Sequence, residues 1–160
     1  MPTSYPSSSA APRLPPRWFI RFAWRAHRAL YRVSRGRLGL REPRRGGHAG
    51  MMRLRTTGRR SGQERAVIVD YFEDGGELVT LAMNGWGAAD PAWWLNLRAT
   101  PEAEVDLRRG SRRVTARAAT PDERARLWAK FREYPGWGDV DAFSQLRERE
   151  RPVVILAPRP

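Results

Sequence analysis

The chain has 160 residues and a mass of 18.3 kDa, which suits one domain with a modest core and one appended segment rather than two independent folds. It contains no Cys, so disulfides, thiolate metal sites, iron–sulfur clusters and a cysteine nucleophile are excluded, and a reducing, cytoplasmic setting is expected. Histidine occurs only at His27 and His48, too few and too far from the main body for a serine–histidine triad or a multi-histidine zinc site. The net charge of +13 is uneven: residues 1–60 carry 15 Arg and the single acid Glu42, whereas residues 61–160 carry 15 Lys plus Arg against 16 acids. Basicity is therefore a property of the N-terminal third. Lys130 is the sole lysine, so the abundance of arginine is not by itself a phosphate signal.

Residues 1–16 are rich in Ser, Pro and Ala and read as a disordered leader. The apolar stretch after the leader is no secretory signal, because Arg interrupts it every three or four positions. Over 17–35 that spacing predicts a basic amphipathic helix, with Arg17, Arg21, Arg25, Arg28, Arg32 and Arg35 in a stripe roughly 80° wide. Trp18, Phe19, Phe22, Ala26, Leu30 and Val33 take the other side. Such a helix either lies on an anionic membrane surface or covers the domain's core or a subunit contact. Residues 36–49, with four glycines, Pro43 and four more arginines, read as a mobile linker.

Residues 50–160 read as an α+β domain dominated by strands. Strands are expected at Met51–Thr57, Ala66–Phe72 and Glu77–Met83, the last two joined by an Asp74-Gly75-Gly76 hairpin. Pro91 opens a short helix through Leu97. Val105–Arg109 and Arg113–Ala118 form a second hairpin about Gly110-Ser111. Thr120-Pro121-Asp122-Glu123 has the form of a capping box before a helix at Arg124–Arg132, and a further helix is expected at Val140–Arg149. The unbroken apolar run Val153–Leu156 predicts a strand buried on both faces. About six mostly antiparallel strands with helices between them suggest a small, partly open barrel.

Two segments exceed what a bland domain requires. In Leu54-Arg-Thr-Thr-Gly-Arg-Arg-Ser-Gly62, the glycines permit a tight bend with inward amides, and Arg59, Arg60, Ser61 and Arg65 supply donors. This is either an anion cradle suited to phosphate or an ordinary hairpin loop with solvated arginines. A nucleotide-binding P-loop does not match, since the Gly-Lys-Ser/Thr ending and a following helix are missing. The second segment runs from Ala82 to Asn96, where a strand exits through Gly85 and Gly87 towards the helix at Pro91. Trp86, Trp93 and Trp94 offer flat walls and Asn84 and Asn96 orienting hydrogen bonds, as in a ring-binding pocket. Equally, the paired tryptophans can be core anchors. Neither segment contains an acid–base or nucleophile–base pair, so an enzyme built on it must import its chemistry with a cofactor.

Taken together, T-T-G-R-R-S-G at 56–62, N-G-W-G at 84–87, D-P-A-W-W-L-N-L at 90–97, A-T-P-E-A-E-V at 99–105, Y-P-G at 134–136 and P-V-V-I-L at 152–156 resemble the deazaflavin-dependent nitroreductase and quinone reductase family. The resemblance covers residues 50–160. It implies a split β-barrel of the flavin-reductase type and an oxidoreductase that uses coenzyme F420 (8-hydroxy-5-deazaflavin), passing hydride to an electron-poor quinone or nitro compound. Arg59, Arg60, Ser61 and Arg65 would hold the coenzyme's phosphate and acidic tail. Ala66, Val67, Ile68, Val69 and Asp70, then Leu81, Ala82, Met83 and Asn84, then Ala92, Trp93, Trp94, Leu95 and Asn96 would line its ring. Met83, Tyr134, Trp137 and Val140 would line the acceptor pocket, with no catalytic side chain and no metal. Met83 stands where related nitroreductases carry Ser, and Trp137 and Val140 replace two of three pocket tyrosines. Fewer hydroxyl donors favour an apolar acceptor over nitro drugs. An FMN-dependent split-barrel enzyme and a non-catalytic F420 or fatty-acid binder are the alternatives. The expected location is cytoplasmic and peripheral on the inner face of the membrane. Nucleic acid is set aside as a partner, because the main body is near neutral and the aromatic residues lie on the helix's apolar side.

Overall fold

A computed structural model describes residues 39–83, 89–134, 137, 140–141 and 150–160. The leader, the 17–35 helix and residues 142–149 of the last expected helix lie outside the described residues; Val140 and Asp141 are helical. The described residues form, in chain order, β1 (Gly50–Thr57), β2 (Glu64–Asp74), β3 (Glu77–Leu81), α1 (Ala92–Ala99), β4 (Glu102–Leu107), β5 (Gly110–Ala118), α2 (Pro121–Phe131) and β6 (Val153–Pro158). The strands close into a barrel in the order β1-β2-β3-β6-β5-β4, with every pairing antiparallel. The expected α+β barrel is the architecture found.

Alternation builds the wall. Met52, Leu54 and Thr56 of β1 point inward and are buried, while Arg53 and Arg55 point outward and reach Asp106 on β4 at 3.4 and 3.0 Å. The Asp74–Glu77 pair leaves Gly75 and Gly76 as a two-residue loop with φ of 58° and 87°, the positive values that a type I′ turn demands. The second hairpin turns earlier than expected. Leu107 pairs with Gly110, so Arg108 and Arg109 form the loop. Gly110, at φ 142°, opens β5 in a conformation that glycine alone adopts without strain.

Two apolar layers lie on either side of the wall. Inside, Met52, Leu54, Tyr71, Leu78, Val105, Val114, Val154 and Leu156 pack with α1. Outside, Phe72, Val79, Leu81, Val153 and Ile155 pack with Leu127 and Phe131 of α2. β6 is shared by both layers, which is why Val153 to Leu156 are apolar without alternation. Pro91 is the N-cap of α1, one position before its first helical residue. The Thr120–Glu123 capping box of α2 is complete, with Thr120 Oγ1 accepting from the Glu123 amide and Glu123 accepting from the Thr120 amide. From Gly39 onward the stretch read as a linker folds back: Arg41 and Met51 exchange backbone hydrogen bonds of 3.2 and 2.8 Å, and Ala49 is fully buried.

Candidate functional site

The β1–β2 turn is drawn tight by its own backbone. The Gly58 amide donates to the Gln63 carbonyl at 2.8 Å, and the Ser61 and Gly62 amides donate to the Gly58 carbonyl at 3.2 and 2.7 Å. Gly62 sits at φ 65°. A Cβ on Gly58 would stand 3.0 Å from the Gln63 carbonyl and 3.1 Å from Ser61 Oγ, so a side chain there would force the bend to give by a few tenths of an ångström. Arg59, Arg60, Ser61 and Arg65 are all exposed on this turn. Arg65 donates to Ser61 Oγ and Gln63 Oε1, both at 3.4 Å. Among the described residues no carboxylate pairs with Arg59, Arg60 or Arg65. Many of the barrel's other arginines are paired with carboxylates, as Arg55 is with Glu104 and Asp106; these three share one turn without such a partner.

Asn96 fastens the turn to α1. Its side-chain oxygen accepts from the Arg59 amide at 3.2 Å and from the Arg59 guanidinium at 3.4 Å, and its amide nitrogen donates to Thr56 Oγ1 at 3.2 Å. Asn96 is 5% exposed and Thr56 3%. A buried amide with its oxygen and nitrogen both engaged orders what it touches. The expected role of Asn96 was a hydrogen bond to a ring. This staple was not foreseen, although a lone Asn on the buried side of an apolar helix was its signal.

β2 supplies an open edge. Residues 64–71 pair with β1, but β3 pairs only with Phe72, Glu73 and Asp74. Among the described residues no strand therefore runs along the other edge of Ala66, Val67, Ile68, Val69 and Asp70. Val67 and Val69 pack inward; Ala66 is exposed, and Ile68 and Asp70 are half-buried. Burial raises the Asp70 carboxyl above its ordinary range, and the charge of Arg41 opposes that shift. The far end of the edge is closed by Thr80 Oγ1, which donates to the Asp70 carbonyl at 2.7 Å.

The remaining predicted residues divide into two groups. Leu81 and Ala82 are buried at the end of β3, and Met83 is half-buried; Asn84 lies outside the described residues. On α1, Ala92 is exposed and Leu95 half-buried, while Trp93 and Trp94 are 7% and 6% exposed and belong to the inner layer. Met83, Tyr134, Trp137 and Val140 come together in the outer layer. Tyr134 stacks on Phe72 with centroids 5.2 Å apart, and Phe131 meets Phe72 and Trp137 edge-on at 4.9 Å. Trp137 is 5% exposed, and its indole N–H has no hydrogen-bond partner among the described residues. A buried donor left unpaired is costly. Among the described residues no group of three or more His, Asp and Glu could hold a metal ion.

Comparison with known proteins gives one answer. The model of the F420H(2)-dependent quinone reductase family matches residues 23–158. An F420H(2)-dependent quinone reductase of Mycobacterium tuberculosis is 32% identical over 142 residues, covering 84% of this chain and 89% of that protein. A solved F420-H2 dependent reductase, FDR-A, is 27% identical with a TM-score of 0.56, over 66% of this chain and 92% of that one. A solved domain-swapped dimer is 25% identical with a TM-score of 0.61, over 86% of this chain and 98% of that one. With the match spanning the barrel and its cationic turn, the chain belongs to the F420H(2)-dependent quinone reductase family, oxidoreductases that work with the reduced deazaflavin F420H2.

Proposed function

We propose that this chain binds F420H2 with its tail on the β1–β2 turn and its ring along the open edge of β2, and that it reduces an apolar quinone held against the outer aromatic layer. The observation that carries this reading is the turn itself: three arginines without carboxylate partners, on a bend that Gly58 makes possible and Asn96 holds in place. The coenzyme's phosphodiester and glutamate tail are polyanionic, and guanidiniums grip such groups through forked, charge-assisted hydrogen bonds. The residues present fit the group. The backbone N–H and C=O groups of residues 66–69 that face away from β1 suit the polar rim of a flat heterocycle, and Val67 and Val69 give its face an apolar floor.

When bound, the reduced deazaflavin supplies a hydride equivalent. The protein's part is to bind, orient and exclude water. Tyr134 and Phe72 offer a flat stacking surface, and the Trp137 indole donates to an acceptor oxygen. That donor offsets the hydroxyls lost where tyrosines are replaced, and a single N–H suits a quinone carbonyl better than a nitro group with two oxygens to satisfy. Nitroreduction is accordingly the minor activity. The basic amphipathic segment at 17–35 would hold the enzyme at an anionic membrane, where lipid-soluble quinones reside. The test is a titration of F420, FMN and NADPH against the full chain, then an acceptor screen. F420 should bind with quenching of its fluorescence, and menaquinone analogues should turn over faster than nitroimidazoles. A yellow preparation carrying bound FMN would contradict this function.

A further inference from the structure

The end of the barrel opposite the β1–β2 turn holds a cleft of about 260 Å³, just below the roughly 300 Å³ at which pockets begin to hold drug-sized ligands. Three segments meet there: the bend before β1, the end of β2 and the β4–β5 hairpin. The most buried residue lining it is Tyr71, 1% exposed and packed in the inner layer. Its ring needs a glycine beneath it, since a Cβ on Gly50 would stand 2.5 Å from Tyr71 Cε1 and 2.8 Å from Pro43 Cδ. The charges that act on its phenol are those of Glu73, Glu42 and Arg112, all cleft residues, so the hydroxyl end is turned towards the cleft. Among the described residues that hydroxyl has no hydrogen-bond partner. A buried polar group without a partner is costly, and this one is aimed at a space that a small molecule can fill.

Two carboxylates and two guanidiniums surround it. Glu42 Oε1 lies 2.7 Å from Arg109 Nε, and Glu73 Oε1 lies 3.9 Å from Arg112 Nη2. The second pair is loose, with side chains 49% and 44% exposed, so parting it costs little. The four charges sum to zero. A simple anion gains from the arginines and is repelled by the carboxylates, and a simple cation meets the reverse. A molecule that carries both charges on neighbouring atoms gains from both sets. Pro43 and Leu107 complete the lining and offer an apolar wall to a short side chain.

We infer that this cleft binds a free α-amino acid with an aliphatic side chain, its carboxylate on Arg112 and the Tyr71 hydroxyl and its ammonium on Glu73. Burial first, then the Glu73 and Glu42 carboxylates, push the Tyr71 phenol up to about 12, so the hydroxyl is a donor at neutral pH. The site shares no lining residue with the β1–β2 turn or with residues 66–70, and its occupancy is measured without coenzyme or turnover.

The probes are L-leucine, isocaproate, which lacks the ammonium, and isoamylamine, which lacks the carboxylate. Each is titrated into the full chain and followed by two-dimensional amide NMR. L-leucine should saturate, with shifts at residues 42–43, 71–73 and 107–112 and not at 58–62, and each half-molecule should bind about tenfold more weakly or worse. Tyr71→Phe keeps the ring and should weaken L-leucine by about tenfold, the loss of one charge-assisted hydrogen bond; an unchanged dispersion of signals shows that this variant is folded. Arg112→Ala should weaken it likewise from the exposed rim, where folding is not at stake. No saturable shift at about 10 mM L-leucine, well above the roughly millimolar affinity expected of so small a ligand, would overturn the inference. So would a half-molecule that binds as tightly as L-leucine, or undiminished L-leucine binding in both variants.

Discussion

The residues of the proposed site act through different physical devices, and each can be removed alone. Asn96→Ala deletes the staple: the Arg59 amide loses its acceptor, and the Thr56 hydroxyl, which still donates to the Arg65 carbonyl at 3.4 Å, loses the donor it accepts from. It should cost about 1–3 kcal/mol of stability in urea melts and weaken F420 binding, although Asn96 need not touch the coenzyme. Trp137→Phe keeps the edge-on packing with Phe131 but removes the N–H. Quinone turnover should fall, while stability holds or rises because an unpaired buried donor is gone; unchanged turnover would remove Trp137 from the acceptor site. Away from the site, Arg117 and the Thr120 amide hold the Glu123 carboxyl down to about 2. A carboxylate with a depressed folded-state pKa stabilises fully above its unfolded value of about 4.5 and loses that contribution as pH falls towards 2. Glu123→Gln should therefore lower the urea midpoint near pH 7 and make no difference near pH 2.

Among the elements, hairpins and caps were legible because each carries a local chemical signature. Asp74-Gly75-Gly76 predicts the β2–β3 turn, and Thr120 with Glu123 predicts the start of α2; both stand where the sequence puts them. The Arg108–Arg109 loop was missed because Gly110 looks like a turn residue, and only the pairing of Leu107 with Gly110 shows that it opens a strand. The geometry of the proposed site was legible in part. The exposed arginines of the β1–β2 turn stand out in the sequence and its motif, but the staple through Asn96 and the open edge of β2 depend on pairing between distant segments, which spacing along one chain does not record. The two tryptophans of α1 illustrate the same limit. Adjacent on the helix, they were read as ring walls or core anchors, and both are buried in the inner layer. Trp94→Ala should cost about 3–5 kcal/mol, measured by thermal or urea unfolding. Gly58→Ala tests the turn as an element: with a Cβ 3.0 Å from the Gln63 carbonyl, the bend must give by a few tenths of an ångström, and F420 affinity should drop more than stability does.

At the scale of the whole molecule, charge is distributed with direction. The β1–β2 turn is a cationic end of the barrel, flanked by strands on which several outward arginines are paired, as Arg55 is with Glu104 and Asp106. No helix among the described residues is long and apolar enough to cross a membrane. The proposed grip on a polyanionic coenzyme should weaken as ionic strength rises. The role of the turn is tested most directly by fluorescence titration of F420 into the full chain and into its Arg59→Ala, Arg60→Ala variant. The parent should bind, with affinity falling in salt, and the variant should bind about 10- to 100-fold more weakly, the equivalent of roughly 1–3 kcal/mol. Equal affinity in the two proteins would contradict the assignment of the turn as the coenzyme's anchor.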